Sequence, residues 1–288
     1  MAEPDKPRLA AMAEGIIKIY NEMGCRVMNV GANDLALGAG FINHIKDLAE
    51  FPLISANILV KATQQHAFEP YIILNTGDQR IGVIGVSMDT PQVSEQFEFG
   101  DPVVHTQAIV DAITADTDVI IVLASLDDRK TQQLADQVQG ADFVVSSRSL
   151  RVSSQLKTKG STTVIQNGTR GKYAGVLHVK RADNLGTIRN LTPEYSQLRF
   201  TRERLDALSK PVPAGMTLIE YYAGDGAKTQ LVQRLEAQKN QREKIIHETA
   251  NYFWFLPVAL SEEVLDNPEI LMQVEALKRQ VETAASSR

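Results

Sequence analysis

The chain has 288 residues, 43% of them hydrophobic and 23% charged, an ordinary globular composition long enough to bury a sizeable core. A net charge of -5 without any Lys/Arg cluster gives no electrostatic reason to expect nucleic acid or an anionic membrane surface. The single cysteine, Cys25, excludes an internal disulfide, a cysteine zinc site and a CxxCH haem attachment, and among apolar neighbours it reads as a small core residue.

Taken in order, residues 8–23 carry Leu9, Met12, Ile16, Ile19, Tyr20 and Met23 on one helical side, closed by Gly24. Residues 26–38 read as a strand through Val27, Met28 and Val30, a polar corner at Asn33-Asp34, and then a helix through Phe41, Ile42, Ile45 and Leu48. Residues 52–57 read as a strand, and residues 71–86 as a hairpin turning at Thr76-Gly77-Asp78-Gln79. A helix at 103–115 precedes the apolar run 118–123, which suits a strand buried on both faces. A helix around Leu134 and Val138 and a strand at 143–145 repeat that unit.

Further strands are expected at 162–166, 174–180, 187–191 and 195–200, with Asp183-Asn184-Leu185-Gly186 as a turn. Beyond Thr201 the pattern becomes helical: a long polar helix at 227–248, then a final helix opened by Asn267-Pro268 with Ile270, Val274, Leu277 and Val281 on one face. The aromatic run Tyr252-Phe253-Trp254-Phe255 is expected to anchor this tail on the body.

In an open α/β sheet, ligands gather beyond the carboxyl ends of the strands, so the corners at 33–34, 124–127 and 146–150 mark the expected site. These segments together resemble the calcineurin-like metallophosphoesterases, and within them the 5'-nucleotidase-type branch. Residues 24–57 resemble that family's strand, its GNHEFDxG motif and its SAN segment, keeping Gly31, Gly38, Ser55, Ala56 and Asn57. Residues 70–86 resemble its PY…GxxxGVIG hairpin, 118–127 its DvvIvLsHlG motif, 142–150 its DviigGHsH motif, and 164–175 its closing VxQxGxxGKYxG. The match runs unbroken over residues 9–200. It implies a layered α/β/β/α domain with two sheets over 1–200, lacking its first strands, and a helical C-terminal extension over 201–288.

The resemblance also implies phosphate-ester hydrolysis by two metal ions held on Asp, His and Asn. Position by position, the ligands do not carry over. Ala32 stands where the motif has its metal-binding Asn, and Asn33 where it has its catalytic His. Ser125 replaces the His of the second motif, Arg148 and Leu150 replace the two of the third, and Ser147 replaces its Gly. An upstream DxH and GD are absent from the sequence, which begins one helix before the GNHEFDxG strand; either the chain is a fragment or its sheet has lost two strands. The expectation is therefore no catalytic residue, no metal and no cofactor.

Asn33, Asp34, Ser125, Asp127, Ser147 and Arg148 are expected to converge as a crevice for a small anion or phosphorylated ligand. Asp127-Asp128-Arg129 also reads as a helix N-terminus. The five histidines match no HxxxH or HxH spacing; residues 224–229 lack the Gly-Lys of a phosphate loop, and Gly31, Gly38 and Gly40 make no GxGxxG.

The function expected is a catalytically inactive 5'-nucleotidase-like module acting in binding or assembly. The alternative is a metal-dependent phosphoesterase whose missing motifs lie upstream or on a partner chain. A protein partner or a second copy is expected on the C-terminal helices; similar bacterial modules that precede multihaem cytochrome segments point to an associated cytochrome. No run is long enough for a membrane span and no signal peptide opens the chain, so it is expected in the cytoplasm, or in the periplasm or outside the cell if Met1 is not the native start.

Overall fold

A computed structural model of the chain describes residues 6–90, 96–153, 156–183 and 186–286. Asn184 and Leu185 of the expected turn lie outside the described residues. The chain divides into two compact units: one formed by Met1–Ala174 with Ala259–Arg288, the other by Gly175–Val258.

The first unit opens with α1 (Lys6–Glu22), which stops where Gly24 adopts a positive φ of 71°. Strand β1 (Met28–Asn29) runs through a short 3-10 turn at Ala32–Leu35 into α2 (Ala39–Leu48). Strand β2 (Leu53–Ile54) lies parallel to β1, and β3 (Ile58–Val60) pairs with the later β6 (Phe97–Phe99). The amphipathic faces of α1 and α2 close over these short strands, burying Ile17, Val30, Leu35, Ile42, Ile45, Phe51 and Leu53 in one core.

The hairpin forms as its sequence requires: β4 (Tyr71–Thr76) and β5 (Gln79–Ser87) pair antiparallel around Gly77, whose φ of 58° suits a residue without Cβ. Asp101 caps α3 (Pro102–Ile113) by accepting from the Val103 and Val104 amides, with proline in the first turn. Next come β7 (Val119–Ser125), α4 (Asp128–Gln137), β8 (Phe143–Ser146), β9 (Lys157–Lys159) and β10 (Thr162–Gln166). The main sheet has the order β4-β5-β7-β8-β10-β9, with β5, β7, β8 and β10 mutually parallel. Its second core, with Ile84, Val122, Val144, Ile113 and Leu134, lies between these strands and the apolar sides of α3 and α4. The layered α/β architecture expected from the resemblance is thus present.

In the second unit, β11 (Tyr173–Lys180), β12 (Arg189–Asn190) and β13 (Tyr252–Ala259) form a sheet of order β11-β13-β12. Helix α5 (Thr192–Ser209) occupies the stretch where a strand at 195–200 was expected, and Thr201 lies inside it. The helix wins because Leu198, Thr201 and Leu205 recur at helical spacing and are buried, while Pro193 and Glu194 suit a first turn. Helix α6 (Leu218–Tyr221) carries a Thr217/Glu220 capping box, and α7 (Gly226–Glu248) is capped by Asp225.

The segment after residue 201 is therefore not purely helical. Tyr252-Phe253-Trp254-Phe255 form the start of β13, with Tyr252, Phe253 and Phe255 buried and Trp254 stacked on Tyr195 at 3.9 Å between ring centroids. Back in the first unit, α8 (Pro268–Ser286) starts where Asn267 Oδ1 accepts from the Glu269 and Ile270 amides. It packs on α1, with the Leu277 side chain over Gly15 and Gln273 hydrogen-bonded to Glu22.

Candidate functional site

The first corner is fixed by a buried polar network. The Asn29 amide donates to the Val86 carbonyl (3.0 Å), and the Ser87 hydroxyl donates to the Val30 carbonyl (2.5 Å). Asn57 Nδ2 donates to the carbonyls of Ser87 (2.7 Å) and Gly100 (2.9 Å), while its Oδ1 accepts from the Ser87 amide (2.9 Å). Asn57 and Ser87 are fully buried, so these bonds replace water completely and hold β1 beside the end of β5. The sequence carries a signal for this support: Asn29 interrupts the apolar run 27–30, Ser87 follows the run 81–86, and Asn57 closes the SAN segment.

Past β1 the chain turns at Gly31, whose amide donates to Asp34 Oδ2 at 2.7 Å. A Cβ on Gly31 would stand 3.2 Å from Ser125 Oγ and 3.4 Å from Asp34 Oδ2, so the small residue lets the first corner meet the second. Crowding in the corner raises the Asp34 carboxyl above the usual aspartate range and the Gly31 amide lowers it again. Because Asp34 as a whole is exposed, solvent screens most of that rise.

Ser125 ends β7 and is half-buried, pairing in register with Ser87. Asp127 is committed to its helix: its carboxylate accepts from the Lys130 amide at 2.8 Å as the N-cap of α4. The third corner sits beside the second because the Ser147 amide donates to the Ala124 carbonyl at 3.0 Å. Ser147 and Arg148 are exposed, and among the described residues no hydrogen bond or ion pair engages the Arg148 guanidinium.

Ser125 thus stands at the carboxyl end of β7, and Asn33, Asp34, Asp127, Ser147 and Arg148 stand beyond the carboxyl ends of β1, β7 and β8. Asp34 and Ser125 meet around Gly31, and Ser147 lies against the end of β7 next to Ser125. Asn33 is exposed at the corner's tip; its carbonyl accepts from the Ala36 amide. Asp127 faces its own helix, and Arg148 extends from the third corner without a side-chain partner among the described residues.

Two divalent cations a few ångströms apart need several carboxylate, imidazole or amide donors aimed at shared points. Here Ala32 is buried and has no donor, one oxygen of Asp34 accepts from the Gly31 amide, and Arg148 contributes a fixed positive charge. Among the described residues no group of three or more His, Cys, Asp or Glu side chains comes together. This donor set does not fit the two-metal centre of the fold.

No family profile matches the chain. A snake venom 5'-nucleotidase from Gloydius brevicauda is 31% identical over 140 residues, covering 45% of this chain and 24% of the venom protein. Protein UshA from Yersinia enterocolitica is 30% identical over 117 residues, covering 38% of this chain and 21% of its own length. This chain therefore spans about a quarter of the length of the curated relatives it matches. Among solved structures, the calcineurin-like phosphoesterase YfkN from Bacillus subtilis superposes with a TM-score of 0.62 at 15% identity, covering 95% of this chain and 77% of that one, a likeness of fold. With the ordered corners and the layered sheet, these similarities show the fold of the calcineurin-like phosphoesterases and, over part of the chain, a sequence likeness to 5'-nucleotidases.

Proposed function

We propose that this chain is a non-catalytic module on a metallophosphoesterase scaffold, with binding or assembly as its task. The single observation that carries the reading is the chemistry of the three corners. Ala32 and Asn33, Ser125, and Arg148 with Leu150 occupy places where the resemblance puts metal ligands and a proton donor, and Leu150 is 84% exposed without a lone pair to offer. A guanidinium repels divalent cations and accepts no proton at neutral pH, so it favours an anion where the family would seat a metal. The crevice would hold phosphate or a phosphorylated group through Arg148 and the hydroxyls of Ser125 and Ser147, without cleaving it. Partner contact falls to the C-terminal helices α7 and α8, for a protein partner, a second copy or an associated cytochrome.

A second reading is favoured by the short coverage of the relatives: a metal-dependent phosphoesterase completed by motifs on another segment or chain. Elemental analysis after incubation with manganese, together with nitrophenyl-phosphate and nucleotide assays, separates the two. The proposal expects no stoichiometric metal and no turnover above buffer, whereas bound metal with turnover by the purified chain overturns it. Calorimetry with phosphate and nucleotides then tests the crevice, with Arg148→Ala expected to abolish whatever heat the intact chain gives.

A further inference from the structure

A cleft of about 630 Å³ opens in the first unit between the first turn of α2 and the β3/β6 ladder, and none of the six corner residues lines it. Its floor is apolar. Ile42 and Phe68 are 2% and 4% exposed, and the Phe68 and Phe97 rings meet at 6.5 Å between centroids. Register sets Val60 opposite Phe97, so both present to the same side of the ladder. The space exists because Ala39, Ala62 and Ala67 stand where larger apolar side chains would close it.

The mouth is polar and carries one sign of charge. Lys61 stands at the rim, with its amide donating to the Gln96 carbonyl at 2.9 Å and its side chain exposed. Among the described residues no ion pair engages its ammonium and no Asp or Glu lines the cleft. The exposed Asn43 amide stands at the same mouth. On a chain of net charge -5, an uncompensated cation beside an apolar cleft of small-molecule size selects an anion with an apolar body.

We propose that this cleft binds a small amphipathic acid, its aromatic or branched body on Phe68 and Phe97 and its carboxylate or sulfonate at Lys61. The site is separate from the corners, so it stands whether or not the crevice there binds phosphate or metal.

The test uses anilinonaphthalene sulfonate and its uncharged counterpart N-phenylnaphthylamine as fluorescent probes on the intact chain. Saturable one-to-one binding of the sulfonate is expected. Lys61→Glu should weaken it at least about tenfold while leaving the uncharged probe within about twofold, the difference a partly desolvated ion pair makes. Ala62→Trp, placed on an exposed turn, should block both probes. Inorganic phosphate should not compete. Absence of saturable binding, or binding that survives both substitutions unchanged, overturns the proposal. Melting curves on each variant identify loss of fold, and if Ala62→Trp unfolds, the charge discrimination of Lys61→Glu decides alone.

Discussion

Gly82 and Gly85 look interchangeable in the strand sequence RIGVIGV, yet the surroundings separate them. A Cβ on Gly85 would come within 2.8 Å of the Ile54 carbonyl oxygen, which cannot move without breaking the bond that oxygen accepts from the Val30 amide. A Cβ on Gly82 would meet the tip of Ile113 at 2.7 Å, and a rotamer change relieves that. Gly85→Ala is expected to cost about 2–3 kcal/mol and Gly82→Ala under about 1 kcal/mol by urea unfolding, since overpacking against backbone is the harder strain. His105 carries a pH prediction. Its ring packs on Gly100 and faces His66 at 6.0 Å between centroids; burial first, then the His66 charge, lowers its pKa, against the Ala56 backbone and Asp101, which raise it. The folded protein therefore binds this proton less readily than the unfolded chain, so stability is full above about pH 6.5 and falls as pH drops through 6.5 toward the lower folded value. His105→Gln should flatten that fall, measured as the urea midpoint at several pH values between about 5 and 8; an unchanged slope would assign it to other groups.

At the scale of elements, the hairpin, the α/β units of the main sheet and the caps at Asp127 and Asn267 were legible because each depends on neighbours in sequence. Helix α5 was not. Leu198 and Phe200, two residues apart, mimic an alternating strand over a short window, and only the longer register to Leu205 shows the helical period. The two readings differ measurably: in a strand Leu198 and Phe200 would share a face, whereas in the helix Leu198 is 4% exposed and Phe200 59%. Leu198→Ala should therefore cost about 2–4 kcal/mol and Phe200→Ala no more than about 0.5 kcal/mol. The candidate corners were legible as strand ends, and Asn29, Asn57 and Ser87 stand out as polar residues beside apolar runs, but their bonding to one another was not legible, because it joins segments far apart in sequence whose approach no local pattern announces. For the same reason the Phe68/Phe97 cleft, made by three separate segments, leaves no mark in the sequence beyond its alanines.

At the scale of the whole molecule, the chain leaves the first unit after Ala174 and returns at Ala259, where the Leu260 amide donates to the Lys172 carbonyl at 2.9 Å. That return lets α8 pack on α1, so the last helix completes the unit that the first helix began. Gly15 permits the approach, since any Cβ there would overlap Leu277. This engagement constrains the assembly role proposed for α8: the Leu277 face is already occupied, and a partner either displaces α1 or uses the outer face, where Leu271 and Met272 are 41% and 66% exposed. Leu277→Asp would set a charge against the α1 backbone and should cost about 1–3 kcal/mol. The loss should be local, with hydrogen exchange rising in α1 and α8 while β5 and β7 stay protected. Leu271→Glu with Met272→Glu should leave exchange unchanged and weaken any self-association seen by sedimentation velocity. If Leu277→Asp leaves α1 as protected as before, the pairing of the two terminal helices contributes nothing to stability, and α8 is then free to act as an independent contact element.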